Sequence, residues 1–255
     1  MAHSDASYRK LVYLFNSHQG LVRTTNEDAW GGLEVEDGYV FIVCDGMGGA
    51  NSGELASCLA VESFLQMMVV GPFIKMAPSM RLEKVLSQTN KLIYEEGRKS
   101  KVNAGMGTTC VALHIDWKGM CTYAHVGDSR LYTFTDKEKL NNLTFDHSYV
   151  NELLRHGVVT AEEAKCHPKK NVLTRALGVS STVEIEIGTV NIDEGIRALI
   201  VATDGLHGML DDEEIQNLVS NKIENGIEST VNELIALALG VGGRDNITVG
   251  MIAYN

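Results

Sequence analysis

The sequence predicts an α+β protein arranged as a four-layer α-β-β-α sandwich with two central antiparallel sheets. Three observations predict this class. Helical segments occur in two groups and do not alternate one by one with strands, which disfavours a doubly wound βαβ sheet. The strands in the middle of the chain are joined by very short connections, which only antiparallel neighbours allow. Enough strand-like runs remain around this meander to form two sheets.

Two apolar runs and an amphipathic segment define the beginning of the chain. Residues 11–15 and 39–44 combine apolar and aromatic side chains and are predicted to be strands. Asn51 or Ser52 is expected to cap a helix that continues through about Met68, because apolar side chains recur near helical spacing.

A second helix is predicted from about residue 79 to residue 98. One face of this helix is apolar, and the other carries charged side chains that include Arg81. Three β-rich runs follow, separated by glycine-containing turns, at residues 108–115, 120–126 and 130–134.

The remainder of the chain contains an irregular insert and then more strands and helices. Residues 147–177 are predicted to be helical and irregular. Later elements are strands at 183–192 and 197–202, helices at 211–221 and 227–239, and a strand at 247–254. Because no linker or repeat divides the sequence, we expect one domain over residues 1–255, with the insert at about 147–177.

Composition and charge exclude several classes of function. The chain of 255 residues carries 33 acidic and 22 basic side chains, which gives a net charge of −11. This balance argues against a nucleic-acid partner, because duplex binding depends on Lys and Arg. The apolar stretches are too short to span a membrane, and no signal peptide is visible. Five cysteines without a CxxC pair predict reduced thiols, so we expect a soluble cytoplasmic protein.

Aspartates stand at the ends of apolar runs in three places. Asp45 and Asp204 each follow such a run and precede a glycine, and Asp245 stands before another run. Carboxylates without nearby His or Cys select hard cations such as Mg²⁺ or Mn²⁺. Asp45 would bridge two ions that convert a shared water into hydroxide, and the carbonyl of Gly46 would approach one of them. Arg23 would grip phosphate oxygens in a bidentate fork, so the sequence predicts a divalent-metal site that handles phosphate.

A series of short motifs extends this pattern along the chain. They are Arg23-Thr-Thr-Asn-Glu-Asp28, Asp45-Gly-Met-Gly-Gly49, Gly107-Thr-Thr109, Gly127-Asp-Ser-Arg130, Leu143-Thr-Phe-Asp146-His147, Leu173-Thr-Arg-Ala-Leu-Gly178, Ala202-Thr-Asp204-Gly-Leu206 and Gly243-Arg-Asp245-Asn-Ile-Thr248. In content and order they resemble the motifs of the metal-dependent serine/threonine protein phosphatases of type 2C, the PPM family. The Asp-Gly-Met-Gly-Gly form resembles the bacterial stand-alone branch. The resemblance implies a pair of antiparallel sheets flanked by helices.

The resemblance also implies a ligand set for the cations. Asp45, Asp204 and Asp245 would hold one ion, and Asp45 with the carbonyl of Gly46 would hold the second. Asp146, together with Asp204, would hold a third, weaker ion. The ions would be Mn²⁺ or Mg²⁺.

Roles for the N-terminal motif and for the substrate follow from the same resemblance. Glu27 and Asp28 would orient waters around the ions, and Arg23 would bind the substrate phosphate. A metal-bridging hydroxide would attack phosphoserine or phosphothreonine directly. The partners would be phosphorylated proteins, the products of a serine/threonine kinase, and we expect the chain to act as a monomer.

Two positions depart from the pattern of many relatives. Met47 stands where eukaryotic members carry a histidine that is proposed as the general acid, and Gly208 stands where many members carry an acid. His147 and His207 lie near the motifs, so either could serve as proton donor. Each could equally be a local hydrogen-bonding residue.

Two other functions compete with direct hydrolysis. A phosphotransferase with an aspartyl-phosphate nucleophile needs an Asp-x-Asp strand end, whereas this chain offers Asp45-Gly-Met47. A catalytically weak or inactive pseudo-phosphatase that binds phosphoproteins as a regulatory module is the second alternative. The retained aspartates argue against it, and Met47 and Gly208 leave it open.

Basic side chains gather between residues 155 and 175 of an otherwise acidic protein. By position this segment resembles the flap near the active site of bacterial relatives. It would either attract phosphorylated segments electrostatically or form a solvated, charged loop.

Overall fold

The computed structural model describes residues 11–49, 52–192 and 195–254, and its elements confirm the predicted sandwich. The strands are β1 (Leu11–His18), β2 (Asp28–Val35), β3 (Gly38–Met47), β4 (Gly107–Thr108), β5 (Cys110–Asp116), β6 (Met120–Val126), β7 (Arg130–Thr135), β8 (Leu140–Asn142), β9 (Glu186–Asn191), β10 (Ile196–Ala202) and β11 (Ile247–Tyr254). The helices are α1 (Ser52–Val69), α2 (Pro78–Gly97), α3 (Tyr149–Arg155), α4 (Ala161–Cys166), α5 (Asp204–His207), α6 (Asp212–Lys222) and α7 (Ile227–Gly240). Residue 51, one of the two expected caps of α1, lies outside the described residues.

Two antiparallel sheets form the centre of the fold. The first has the strand order β1-β11-β10-β7-β8, and the second has the order β2-β3-β5-β6-β9, with β4 paired to β3. In the first sheet, Leu11 of β1 lies opposite Tyr254 of β11. In the second, Asp28 of β2 lies opposite Asp45 of β3. The other end of the β1–β11 pair, where His18 lies opposite Ile247, is the end of the first sheet next to Asp245.

The side chains of β3 belong alternately to two different cores. Val40 and Ile42 pack with helices α1 and α2, whereas Phe41 and Val43 pack between the two sheets. This strand is therefore buried on both faces, which explains its unbroken apolar sequence. A third core lies between the first sheet and the helices α5, α6 and α7.

The strand β2 is not predicted from the sequence. Its central glycines have low β propensity, which conceals the strand. Packing of α1 over β2 requires at least one of them. A Cβ added to Gly31 would lie 2.7 Å from the Cδ1 atom of Leu65, which is too close for any side chain.

The predicted position of Arg81 on the solvated face of the second helix is wrong. Arg81 is 1% exposed, and its guanidinium donates hydrogen bonds to both carboxylate oxygens of Asp37 in the β2–β3 turn. The Nε2 atom of His114 lies 3.2 Å from the Oδ1 atom of the same carboxylate. Asp37 therefore supplies the countercharge that a buried arginine needs.

The insert between β8 and β9 contains helices α3 and α4, and its two ends are joined by backbone hydrogen bonds. The N–H of Tyr149 donates to the carbonyl of Val172 (2.7 Å), and the N–H of Thr174 donates to that of His147 (2.8 Å). Thr160 caps α4 through a reciprocal hydrogen-bond pair with Glu163. Among the described residues, no helix is both long and apolar enough to cross a bilayer.

Candidate active site

Aspartates from both sheets meet at one end of the sandwich. Asp28 and Asp45 are direct neighbours across the β2–β3 pair. Asp204 is the first residue of α5, directly after β10, and Asp245 precedes β11, which pairs with β10. The site therefore lies where the strand ends of the two sheets face each other.

Asp28 connects the two sheets through its carboxylate. Its Oδ2 atom accepts hydrogen bonds from the hydroxyl groups of Thr203 (2.9 Å) and Thr248 (2.6 Å), beside β10 and in β11. Its Oδ1 atom is buried and has no hydrogen-bond partner among the described residues. Burial raises the pKa of Asp28 to about 7; the two hydroxyl groups lower it, and the charge of Asp204 raises it further.

Asp45 and Asp204 lie close enough for their carboxyl groups to hydrogen-bond to each other. The backbone of Asp45 is fixed, because its N–H donates to the hydroxyl of Thr109 (3.0 Å) and its carbonyl accepts from Thr108 (2.9 Å). Desolvation, and then the charge of Asp28, raise the pKa of Asp45 well above its usual value. The pKa of Asp204 rises to about 6, through burial first and the charge of Asp245 second.

Asp245 pairs with Arg23 at the rim of this cluster. The Nη2 atom of Arg23 lies 2.7 Å from the Oδ2 atom of Asp245. Arg23 is about half exposed, and its hydrogen bond to Asp245 raises the pKa of the guanidinium. Arg23, the predicted phosphate-binding residue, therefore lies beside the predicted metal ligands and forms an ion pair with one of them, Asp245.

Asn246 fixes the loop that carries Arg23 and Glu27, a role that the sequence analysis does not assign. Its amide nitrogen donates to the carbonyls of Gln19 and Thr25, both at 2.8 Å. Its Oδ1 atom accepts from the N–H of Glu27 at 2.8 Å. This buried amide thus holds the N-terminal motif against the residue next to Asp245. Its position directly after Asp245 is the feature of the sequence that could have indicated a role at the site.

Asp146 forms a bidentate ion pair with Arg130. Both of its carboxylate oxygens accept hydrogen bonds from Arg130, one from Nε at 2.9 Å and one from Nη2 at 2.7 Å. Asp128, which the sequence analysis does not assign, lies beside Asp204. Burial raises the pKa of Asp128 to about 7, and the charge of Asp204 adds to this. The sequence did contain an indication of this position. Asp128 follows the end of β6 and stands next to a glycine, as Asp45 and Asp204 stand next to glycines at the ends of apolar runs.

Of the two candidate proton donors, His147 is buried and His207 is half-buried, and both have lowered pKa values that favour their neutral forms. Burial lowers the pKa of His207 to about 3, and its ring hydrogen-bonds to the backbone of Asp128. Burial also lowers the pKa of His147, while a hydrogen bond to Glu186 acts in the opposite direction. Because both rings are mainly neutral near pH 7, neither is in the imidazolium form that donates a proton as a general acid. This favours the local hydrogen-bonding role for both.

A second group of potential metal ligands includes His147, which follows directly after Asp146 in the chain. Among the described side chains, His125, His147 and Glu186 offer three ligand atoms within 4.8 Å of one another. However, Nδ1 of His147 accepts a hydrogen bond from the N–H of Gly127, which leaves the ring proton on Nε2. Arg175 also places a guanidinium nitrogen 3.2 Å from that Nε2 atom. Both contacts disfavour a cation at this group.

The aspartate cluster, in contrast, fits the divalent cations that the motifs imply. It gathers ionisable carboxyl groups that raise one another's pKa, and the buried Oδ1 atom of Asp28 has no partner among the described residues. Cations would compensate both. Gly46 is needed for the backbone packing beside this cluster, because a Cβ there would lie 2.1 Å from the carbonyl oxygen of Gly53.

A family model and curated relatives match most of the chain. The family described as protein phosphatase 2C matches residues 17–236. A serine/threonine phosphatase stp of Listeria welshimeri is 36% identical over 244 residues, which cover 94% of this chain and 95% of that protein. The protein phosphatase PhpP of Streptococcus pneumoniae is 35% identical over 239 residues, with 92% and 94% coverage.

Solved structures show the same fold. The serine/threonine phosphatase Stp1 from Staphylococcus aureus superimposes with a TM-score of 0.89 at 30% identity, and the match covers 96% of both chains. The serine/threonine phosphatase of S. agalactiae gives a TM-score of 0.89 at 33% identity, with 96% of this chain and 100% of that chain covered. Each of these two matches covers 96% of this chain.

Proposed function

This chain belongs to the protein phosphatase 2C family and is a serine/threonine phosphatase, and from that premise we propose that its clustered aspartates hold two divalent cations for direct hydrolysis of phosphoserine and phosphothreonine in proteins. The observation that carries the proposal is the buried, mutually destabilised set of carboxyl groups at one end of the sandwich. When bound, Mg²⁺ or Mn²⁺ would lower the pKa of a shared water and supply the bridging hydroxide that attacks phosphorus.

The residues that would hold the cations come from both sheets. Asp45, Asp204 and Asp245 would hold one cation, and Asp45 with the carbonyl of Gly46 would hold the other. Glu27 and Asp28 would orient the surrounding waters, a role supported by the unpartnered oxygen of Asp28.

A third, weaker cation would need carboxylate oxygens beside Asp204. A third ion at Asp146 would compete with Arg130 for both oxygens of that carboxylate. Asp128 is a further candidate, because it lines the same cavity as Asp146 and Asp204, and the charge of Asp204 adds to the effect of burial in raising its pKa. The prediction for Asp146 stays a prediction.

Arg23 would position the substrate phosphate beside these acids. Its guanidinium is half exposed and lies at the rim of the cluster, where the phosphate of a protein side chain can reach it. A cation bound by Asp245 would compete with Arg23 for that carboxylate and leave the guanidinium available to phosphate oxygens.

Replacing Arg23 by Ala is expected to raise KM for a phosphoserine peptide about 10-fold while changing kcat less, because a phosphate-binding contact is removed before the chemical step. Arg23→Lys keeps the charge but loses the bidentate fork, so its KM should lie between the two. Steady-state kinetics of the three proteins tests this. An unchanged KM in Arg23→Ala would show that phosphate does not bind there.

The function itself is tested by release of phosphate from a phosphoserine peptide. We expect turnover with Mn²⁺, no turnover in excess EDTA, and recovery when Mn²⁺ is restored. Full turnover in EDTA would refute the role of the cations. A phosphoenzyme trapped by acid quenching would instead support the phosphotransferase. No turnover with saturating Mn²⁺ would favour the pseudo-phosphatase, which no observation among the described residues now supports.

The partners are phosphorylated proteins. Hydrolysis of phosphoserine or phosphothreonine requires a reaction that forms these esters, so a serine/threonine kinase would supply the substrates. All the acids of the site come from one chain, which supports activity as a monomer.

A further inference from the structure

One cavity joins the acids of the site to an aliphatic surface of the insert. Its volume is about 620 Å³, and Asp128, Asp204 and Asp245 are among the residues that line it. Helices α3 and α4 contribute four aliphatic side chains to the same cavity, which we call the aliphatic wall: Val150, Leu154, Ala161 and Ala164. A substrate whose phosphate reaches the acids therefore has its neighbouring residues within reach of this wall.

The aliphatic wall is accessible to a partner. Leu154 is 36% exposed and Ala161 is also exposed, whereas Val150 and Ala164 are buried, so Leu154 and Ala161 are the part of the wall that a partner can contact. Single exposed apolar residues are common on protein surfaces. Here the exposed apolar atoms are continuous with a catalytic cavity, where contact with a ligand would remove them from water.

The basic side chains of the insert mostly contact other groups. Arg155 and Lys169 each lie over an aromatic ring, at 5.6 and 5.1 Å from its centroid. Arg175 forms an ion pair with Glu184 at 3.0 Å. Lys170 does line the cavity. Among the described residues of the insert that line the cavity, the four of the aliphatic wall stand beside three uncharged polar residues and one cation, Lys170, so the insert does not present a row of cations for acidic substrate segments.

Starting from the proposed function, we propose that the aliphatic wall binds an apolar side chain of the substrate protein, one or two residues from the phosphorylated residue. An extended peptide advances about 3.3 Å per residue, so these neighbours remain within a cavity of this size. An apolar neighbour that packs against Leu154 and Ala161 would remove apolar surface of both partners from water, and a polar neighbour would not.

Two peptides that differ only beside the phosphoserine test this proposal. One carries Leu at the two positions on each side, and the other carries Asn there, so that charge and length are the same. We expect wild-type kcat/KM to be about 10-fold higher for the Leu peptide, which is the discrimination typical of one apolar contact. In Leu154→Asn this ratio should fall to about 3 or less.

Val158→Asn is the matched control. Val158 is an exposed aliphatic residue of the same insert and does not line the cavity, so its variant should keep the wild-type ratio. A wild-type ratio near unity would overturn the proposal, as would a folded Leu154→Asn protein that retains the full ratio. Fluorescence anisotropy with the same peptides separates this inference from the proposed function. If no phosphate is released, tighter binding of the Leu peptide still supports the wall, and equal binding refutes it.

Discussion

Replacing Asp204 by Asn is expected to lower kcat for a phosphoserine peptide by about 1,000-fold or more, equivalent to about 4 kcal/mol of lost transition-state stabilisation. Asp204 lies beside Asp45 and Asp128, and it is a proposed ligand of the first cation and of the third, weaker one. The amide keeps the shape and removes the charge. Asp45→Asn should have an effect of the same order, because Asp45 would contact both cations.

Glu62→Gln provides the control for this experiment. Glu62 is exposed on α1 and its substitution also removes one negative charge, but it lies outside the site. Its kcat should stay within about 2-fold of wild type, as is usual for surface substitutions. Circular dichroism should show that both aspartate variants are folded. Wild-type kcat in folded Asp204→Asn would contradict the proposed site.

The melting temperature in EDTA is expected to fall by about 10 °C between about pH 5 and about pH 8. The folded protein holds Asp28 and Asp128 with pKa values of about 7 and Asp204 with a value of about 6, each raised from 3.8. Between the ordinary pKa of 3.8 and these raised values, the three carboxyl groups are ionised in the unfolded chain but still largely protonated in the folded protein. Stability is therefore greatest at acidic pH and is lost as the pH rises through these raised values.

Calorimetric scans at several pH values, with EDTA and with millimolar Mn²⁺, measure this effect. The cation binds the folded state, so it should restore stability most strongly at high pH, where the carboxylates are ionised. Asp28→Asn removes one raised pKa and should flatten the pH dependence, whereas Glu62→Gln should not. A melting temperature in EDTA that rises with pH would show that these carboxyl groups do not have raised pKa values in the cation-free folded protein.

The fold could be predicted largely from local patterns. Strands such as β3 and β6 are buried on at least one face, and α1 carries a helical stripe, so each leaves a periodic signal in the sequence. The strand β2 lacks such a signal, because the requirement for glycine at Gly31 arises from Leu65 of α1. Likewise, the burial of Arg81 depends on Asp37 in a distant turn.

The candidate site could be predicted in part for the same reason. Aspartates at strand ends mark the site locally, and the structure brings Asp28, Asp45 and Asp204 together. Which oxygens are free depends on tertiary contacts. Arg130 holds Asp146 and leaves Asp128 beside the cluster, and no local pattern distinguishes these two aspartates.

The bridge from Asp28 to Thr203 and Thr248 makes catalytic competence a property of the whole domain. Asp28 and Asp45 belong to one sheet, and Asp204 follows a strand of the other, so a chain that has assembled a single sheet possesses only half of the acids. Hydrolysis would therefore require both sheets to be formed and docked against each other, since neither sheet alone carries the full set of acids.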